Sequence, residues 1–272
     1  KPFRKNSAIK NDRQDAEAIA TAARQGNMRF ISVKTEDQQA RLSWHRVREG
    51  YKKDALAVMN RIRGLLSEFG IVIGQSAIAL RRALADLEAM QLPPEFVQLV
   101  RLQQRYWEAI AACQEACDVR IKEHAEQDER CERIRGLTGV GPLTADAIVA
   151  TLGNASDFKN GRQCAAWMGL TPSQFGTGGK VQLGKISCRG DSYLRTLLIQ
   201  GARSSLQRAK LTPADKATAE QLWIVQLAAR LPFGKVLVAI ANKHARQMWA
   251  MLARNEAYDA EAWLKHPMVQ RG

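Results

Sequence analysis

The chain has 272 residues, which is enough to bury a sizeable core and to form more than one domain. Its 41 Lys and Arg residues exceed its 27 Asp and Glu residues, and the formal net charge of +14 favours nucleic acid as a partner. The sequence has no apolar run of about 18 residues, so neither a membrane span nor a membrane partner is expected. Five cysteines without paired CxxC spacing predict reduced thiols in a cytoplasmic protein rather than a zinc site.

The first predicted elements are a short helix over residues 11–24 and a short strand over residues 28–33. Asp12 and Asp15 lie three positions apart and therefore share one face at the start of the helix. One interpretation is that both carboxylates only complement the helix dipole. The other is that they bind Mg²⁺, a hard cation that prefers oxygen ligands.

Long helices are predicted for the middle of the chain. Apolar residues recur at helical spacing over residues 35–69, 76–90 and 94–130, which indicates an antiparallel coiled coil or an ordinary helical bundle. Arg46 and Arg48 lie on the basic surface of the first of these helices. This surface is expected to contact an RNA or DNA backbone, and the plain alternative is a solvated helix face.

Residues 131–153 have the pattern of a helix-hairpin-helix. Gly139 and Gly141 allow a tight turn, and Pro142 is well suited to the first position of the second helix. Free amides at the start of that helix can bind a DNA phosphate without reading sequence. A helical hairpin used only for packing is the alternative.

Residues 171–195 form a glycine-rich segment with several hydroxyl groups, and residues 158–190 contain no Asp or Glu. Exposed amides and cationic side chains can both meet phosphate, so this segment is a candidate polyanion site. A flexible basic surface loop is the alternative. The candidate phosphate-binding cations are Lys180, Lys185, Arg189 and Arg195.

Four stretches together resemble the transposases of the insertion-sequence 110 family, and in particular its 1111 subgroup. They read NDRQDAEAIA, RIRGLTGVGPLTADAI, FKNGRQCAAWMGLTPSQ and TGGKVQLGKISCRGDSYLRTLL. The resemblance implies a mainly α protein. Its parts would be the remnant of a RuvC-like (RNase H-type) α/β domain over 1–35, coiled-coil helices over 36–130, and an α-rich transposase domain over 131–272 with a helix-hairpin-helix at 131–153 and a catalytic loop at 171–195.

The resemblance also implies a catalytic acidic tetrad that binds Mg²⁺. Asp12 and Asp15 match its last two members, whereas the first Asp and the Glu would precede Lys1. We therefore expect the printed sequence to be part of a longer protein, or the first half of the domain to be supplied otherwise.

In this family a serine of the central segment is the nucleophile, and the matching position here is Thr177. A threonine methyl group crowds an in-line approach, so Ser187 and Ser173 are kept as alternatives, as is an inactive variant.

The expected function is RNA-guided, site-specific DNA recombination by an insertion-sequence transposase. The implied partners are a guide RNA, called a bridge or seeker RNA, and donor and target DNA. The protein would act as a homodimer or homotetramer in the bacterial cytoplasm, associated with the nucleoid. Two other classes stay open: a metal-dependent RuvC-like nuclease that uses water, and a non-catalytic nucleic-acid-binding protein.

Overall fold

The computed structural model describes residues 11–26, 31–177 and 180–259, and it divides the chain into two compact units, Lys1–Val33 and Lys34–Gly272. Helices dominate the described residues, as predicted. The helices are α1 Asp12–Ala23, α2 Glu36–Glu68, α3 Ala77–Ala85, α4 Pro94–Gln127, α5 Glu129–Ile134, α6 Pro142–Leu152, α7 Gly161–Trp167, α8 Ser192–Leu211, α9 Ala219–Arg230 and α10 Phe233–Arg254; a 3₁₀ turn spans Leu87–Met90, and the strands are β1 Pro172–Thr177 and β2 Lys180–Ile186.

The first unit contributes α1, which begins where the sequence predicted. The side chain of Asn11 accepts a hydrogen bond from the backbone N–H of Gln14 at 2.8 Å and so caps the helix. Asp12 and Asp15 both lie in the first turn. Of the predicted strand at residues 28–33, positions 27–30 lie outside the described residues. Residues 31–33 are not in a strand, so the prediction is wrong for them.

The two longest helices, α2 and α4, pack side by side in opposite directions. Arg48 of α2 pairs with Asp118 of α4, and Arg61, further along α2, donates to Gln103, which lies earlier on α4. Ile62, Leu66 and residues of α3 form a separate apolar cluster against Val100 and Trp107. The antiparallel pairing of the long helices is therefore confirmed. The predicted third helix is interrupted at Asp128, where its side chain caps α5.

The second apolar core lies in residues 125–252 and is centred on α6. All nine residues from Thr144 to Leu152 are buried, so α6 is surrounded by other elements on every side. Helices α8 and α10 contribute half of the remaining core side chains, among them Leu194, Leu198 and Met248. This core supports the elements that carry the candidate site.

The glycine-rich segment is a two-stranded antiparallel hairpin rather than an irregular loop. Strand β1 pairs with β2 in a register that sets Thr177 opposite Lys180 and Pro172 opposite Ile186. An irregularity falls between Pro172 and Gln174. Asn160 and Asp191 cap the helices on either side of the hairpin, α7 and α8. The hairpin thus lies in the chain between two helices whose first turns are capped.

The turn between α5 and α6 lies against α8 at a very close approach. Gly139 has a φ angle of +86°, and a Cβ atom at this position would lie 2.2 Å from the carbonyl oxygen of Gly201. Only glycine satisfies both the positive φ angle and the contact without strain. This requirement for glycine is structural, whatever else the turn does.

We predict that Gly139→Ala destabilises the protein by roughly 2–4 kcal/mol, because the added methyl meets backbone in a strained conformation. The matched control is Gly141→Ala, where a Cβ atom meets nothing within 4 Å, and it should cost less than about 1 kcal/mol. Urea unfolding followed by far-UV circular dichroism measures both. Equal losses in the two variants would contradict the packing explanation.

Candidate nucleic-acid and catalytic site

Of the three candidate hydroxyls, those of Thr177 and Ser187 belong to opposite ends of the hairpin. Thr177 is the last residue of β1, at the tip. Ser187 lies at the base, where its backbone N–H donates to the carbonyl of Thr171 at 2.9 Å. At about 3.3 Å per residue the hairpin separates them by about 20 Å, so they cannot serve one phosphate. The Ser173 hydroxyl donates to the Lys185 carbonyl at 3.0 Å and is thus engaged across the hairpin.

The predicted phosphate-binding cations are distributed along the same segment. Lys180 is the residue paired with Thr177 at the tip. Lys185 and Arg189 are exposed, at the end of β2 and just after it. Arg195 is half-buried on α8, where its Nη1 donates to the carbonyl of Met168 at 3.2 Å. Lys180, Lys185 and Arg189 are therefore distributed along the hairpin and just beyond it, whereas Arg195 helps to hold its base.

The carboxylates of α1 provide two oxygen-bearing groups on one helical turn. Asp12 is exposed and Asp15 is half-buried. This pair suits part of a Mg²⁺ site, because that ion needs only one or two protein carboxylates beside its waters and substrate phosphates. Among the described residues, no group of three or more His, Cys, Asp or Glu side chains could hold a metal ion.

Sequence analysis missed a buried charged network centred on Asp146 of α6. This carboxylate is completely buried, and Oδ1 accepts a hydrogen bond from Nε of Arg41 at 2.8 Å. Its second oxygen, Oδ2, accepts from Nε2 of His45 at 2.8 Å. Arg41 also donates to Oδ2 of Asp128 at 2.8 Å. The network thus joins α2 to α6 and to the start of α5.

His45 extends the network to α8. Because the Asp146 carboxylate can only accept, Nε2 of His45 carries a proton, and in a neutral imidazole Nδ1 then accepts the hydroxyl proton of Tyr193. The separation of Nδ1 and the Tyr193 hydroxyl is 2.9 Å, and the two rings meet edge to face at 5.6 Å. A hydroxyl, an imidazole and a carboxylate therefore stand in one hydrogen-bonded line.

The pKa shifts in this network follow from burial and pairing. Burial alone would raise the pKa of Asp146, but hydrogen bonds from His45 and Arg41 outweigh it and hold the pKa below the usual range. The pKa of Asp128 is likewise lowered, because Arg130 and Arg41 outweigh its burial. Burial raises the pKa of the Tyr193 hydroxyl. Both carboxylates are therefore ionised at neutral pH, and Tyr193 is protonated.

The two arginines predicted to contact nucleic acid differ in their surroundings. Arg46 is exposed on α2. Arg48 is half-buried and pairs with Asp118 and, at 3.3 Å, with Glu49. These carboxylates satisfy the guanidinium charge of Arg48 within the protein, so Arg46 is the better placed of the two to bind phosphate.

The turn between α5 and α6 borders an open cavity of about 580 Å³. Gly139 and Gly141 line it, and Arg135, Ser204 and Arg208 complete its polar wall. No side chain of the described residues caps the N-terminus of α6, so the first amides of this helix have no capping partner there. The geometry suits an anion. Of the residues that line this cavity, the sequence pattern had indicated Gly139 and Gly141 but not Arg135, Ser204 or Arg208.

One sequence signal could have drawn attention to Asp146. The stretch of α6, PLTADAIVATL, is apolar except for threonines and this single carboxylate. A charge in such a helix needs a buried partner. The partners, Arg41 and His45, lie 105 and 101 residues away, which no local pattern could indicate.

Comparison with known proteins defines the class of the chain. Residues 131–219 match the family described as "Transposase IS116/IS110/IS902 family", and residues 3–71 match a second, DEDD-type family described as "Transposase". The chain is therefore a transposase, an enzyme that acts on DNA. The DEDD-type match indicates use of a divalent metal in general. None of the described helices is both long and apolar enough to cross a membrane.

The chain belongs to the IS110/IS116/IS902 family of transposases, as the sequence resemblance predicted. It is 41% identical to a Pseudomonas aeruginosa protein named "Probable family 20 transposase", over 95% of this chain and 76% of that protein. It is 37% identical to the transposase for insertion sequence element IS1111A of Coxiella burnetii, over 95% and 70% of the two chains. The transposase for IS1328 of Yersinia enterocolitica is 34% identical, over 95% and 75%.

We predict that Asp146→Asn lowers the free energy of unfolding by about 3 kcal/mol, because it removes one of the two carboxylates that pair with the buried Arg41 and leaves that charge only partly compensated by Asp128. The control is Asp37→Asn. Asp37 lies 4.0 Å from the same arginine but its side chain is 77% exposed, so its loss should cost less than about 1 kcal/mol. Urea denaturation at neutral pH compares the variants, and similar losses would exclude a structural role for the network.

A second prediction concerns acid. Asp128 has a lower pKa in the folded chain than in the unfolded chain, so its stabilising contribution is present above the unfolded pKa of about 4 and is lost as pH falls below that value. Unfolding free energies at pH 6 and pH 3 should therefore differ less in Asp128→Asn than in the wild type. An unchanged pH dependence would show that Asp128 does not contribute.

Proposed function

We propose that this transposase cuts and rejoins DNA through a hydroxyl group at the tip of the β1–β2 hairpin, with Thr177 as the nucleophile. The observation that carries the proposal is the register of the hairpin, which sets Thr177 at the tip beside Lys180. The described side chains of β1 and β2 are exposed or half-buried, so a DNA strand can reach this element.

The reaction is a phosphoryl transfer. The Thr177 oxygen forms a bond to phosphorus, and the bond from phosphorus to a bridging sugar oxygen breaks. The hydroxyl proton passes to a base, and the departing sugar oxygen takes up a proton. The resulting protein–DNA ester conserves the bond energy for strand exchange. Lys185 and Arg189 would neutralise the phosphate in this step.

Asp12 and Asp15 would hold Mg²⁺. The bound ion would supply positive charge to phosphate oxygens and would favour loss of the hydroxyl proton. In the chain these acids lie some 160 residues from Thr177. A site composed of two protomers would bring them together, and the paired helices α2 and α4 could join such protomers.

The turn between α5 and α6 would grip the DNA backbone. Its amides and the side chains of Arg135 and Arg208 surround the cavity described above. Such contacts position a duplex but do not read its sequence. Sequence would then be read by base pairing with a guide RNA, whose phosphate backbone the overall positive charge of the protein would attract.

The direct test is a covalent adduct. Labelled DNA carrying the end of the insertion element is incubated with the protein, Mg²⁺ and the RNA transcribed from the element, and the products are separated on a denaturing gel. We expect Thr177→Ala to reduce the adduct by roughly 10³-fold or more, and Thr177→Ser to retain it. Ser187→Ala is the matched control, because it removes a hydroxyl from the other end of the hairpin.

Other outcomes would identify the alternatives. Cleaved DNA without attached protein, insensitive to Thr177→Ala, would indicate a metal-dependent nuclease that uses water. Tight binding without cleavage would indicate a non-catalytic nucleic-acid-binding protein.

A further inference from the structure

A second cavity, of about 660 Å³, lies between the first half of α2, the end of α7 and the start of α8. Cavities of about 300–1,000 Å³ take small ligands, so this one has room for a single nucleotide but not for a base-paired segment. We call it the α2–α8 pocket. Its lining includes Lys34, Arg46, Lys53, Trp167 and Tyr193.

The charges of the α2–α8 pocket are unequally satisfied. Glu49 pairs with Arg48 and Lys52 at 3.3 and 3.6 Å, and the Asp191 carboxylate caps α8 through the backbone N–H groups of Tyr193 and Leu194. Both acids of the lining therefore have partners inside the protein.

Three cations remain. Within the part of the chain that the structure describes, the side chains of Lys34, Arg46 and Lys53 have no ion-pair partner. An anion that enters the pocket therefore meets positive charge that the protein leaves unpaired. The anionic group that DNA would place there is a phosphate.

The aromatic wall of the pocket is fixed in place. Tyr193 is held by its hydrogen bond to His45, which is itself buried against Asp146. Trp167 packs on Phe158 with ring centroids 5.6 Å apart. Aromatic side chains beside cations are the platforms on which unpaired bases stack in single-strand-binding proteins. Because these rings are preorganised, a base would lose little free energy in ordering them.

The pocket lies beside the base of the hairpin. Gly190, three residues after Ser187, approaches the carbonyl oxygen of Trp167 so closely that a Cβ atom there would lie 1.9 Å from it. Asp191 then begins α8. A strand held in the pocket is thus next to the base of the hairpin, whose tip carries Thr177.

We propose that the α2–α8 pocket receives one unpaired nucleotide of the DNA strand on which the hairpin acts. Lys34, Arg46 and Lys53 bind its phosphate, and its base stacks against Trp167 and Tyr193. The choice of DNA rests on the proposed function, because the position beside the hairpin identifies the strand. Holding one nucleotide out of the duplex would fix the register of the neighbouring phosphates.

The test compares two adjacent lysines of α2. Lys53 lines the pocket, whereas Lys52 pairs with Glu49 and does not line it, so Lys53→Ala and Lys52→Ala remove the same charge from the same helix. Binding of a fluorescent eight-residue oligothymidylate is measured by anisotropy at fixed ionic strength. We expect Lys53→Ala to weaken binding by about fivefold to tenfold and Lys52→Ala by less than about twofold.

Arg46→Ala should reproduce the loss. Arg46 is exposed, so we expect the variant to fold like the wild type, which circular dichroism checks directly. Equal effects of Lys52→Ala and Lys53→Ala would show that the overall positive charge, rather than the pocket, binds the strand. If Lys53→Ala weakened binding of duplex DNA by the same factor, the proposal that the nucleotide is unpaired would be wrong. If it weakened binding of oligouridylate by a larger factor, the proposal that the ligand is DNA would be wrong.

A third comparison tests the base. An eight-residue abasic strand should bind the wild type more weakly than oligothymidylate does, and equal binding would exclude stacking. These assays measure binding alone and do not depend on cleavage. Failure of the adduct experiment and failure of the pocket are therefore separate results.

Discussion

The buried carboxylate of Asp146 is the constraint on which the arrangement of the larger unit depends. A charge without solvent is tolerated only when it is fully paired, and here Arg41 and His45 occupy both of its oxygens. Both partners come from the first turns of α2. The long helix is therefore tied at one end to α6, the centre of the second core, while its other end packs with α3 and α4 around a separate apolar cluster.

The same hydrogen-bond network extends to α8, the helix that follows the candidate catalytic hairpin. Tyr193, in the first turn of α8, is held by His45, and only residues 187–191 separate α8 from the end of the hairpin at Ile186. The hairpin thus precedes a helix that this network of hydrogen bonds holds in place. This arrangement would suit the proposed strand exchange, in which the group bonded to DNA must remain accessible while its attachment to the protein stays fixed.

The distribution of charge explains why net charge alone is a poor guide to contacts. Arg41 and Arg48 are engaged by carboxylates within the protein, whereas Arg46, between them on the same helix, is exposed. Helical geometry produces the difference, because neighbouring positions face different directions. A basic stretch in a sequence therefore mixes structural and ligand-binding cations, and only their partners separate the two.

The sequence by itself determined the family, the helical class and the starts of the first helices, because motif wording, apolar periodicity and capping residues such as Asn11 and Thr35 act over a few positions. It also placed the hydroxyls and cations of the central segment in one stretch. Only the tertiary structure decided that this stretch is a hairpin with Thr177 at its tip, and that Asp146 binds residues about a hundred positions away. Strand register and buried pairing depend on contacts between distant parts of the chain, and local propensity carries no information about them.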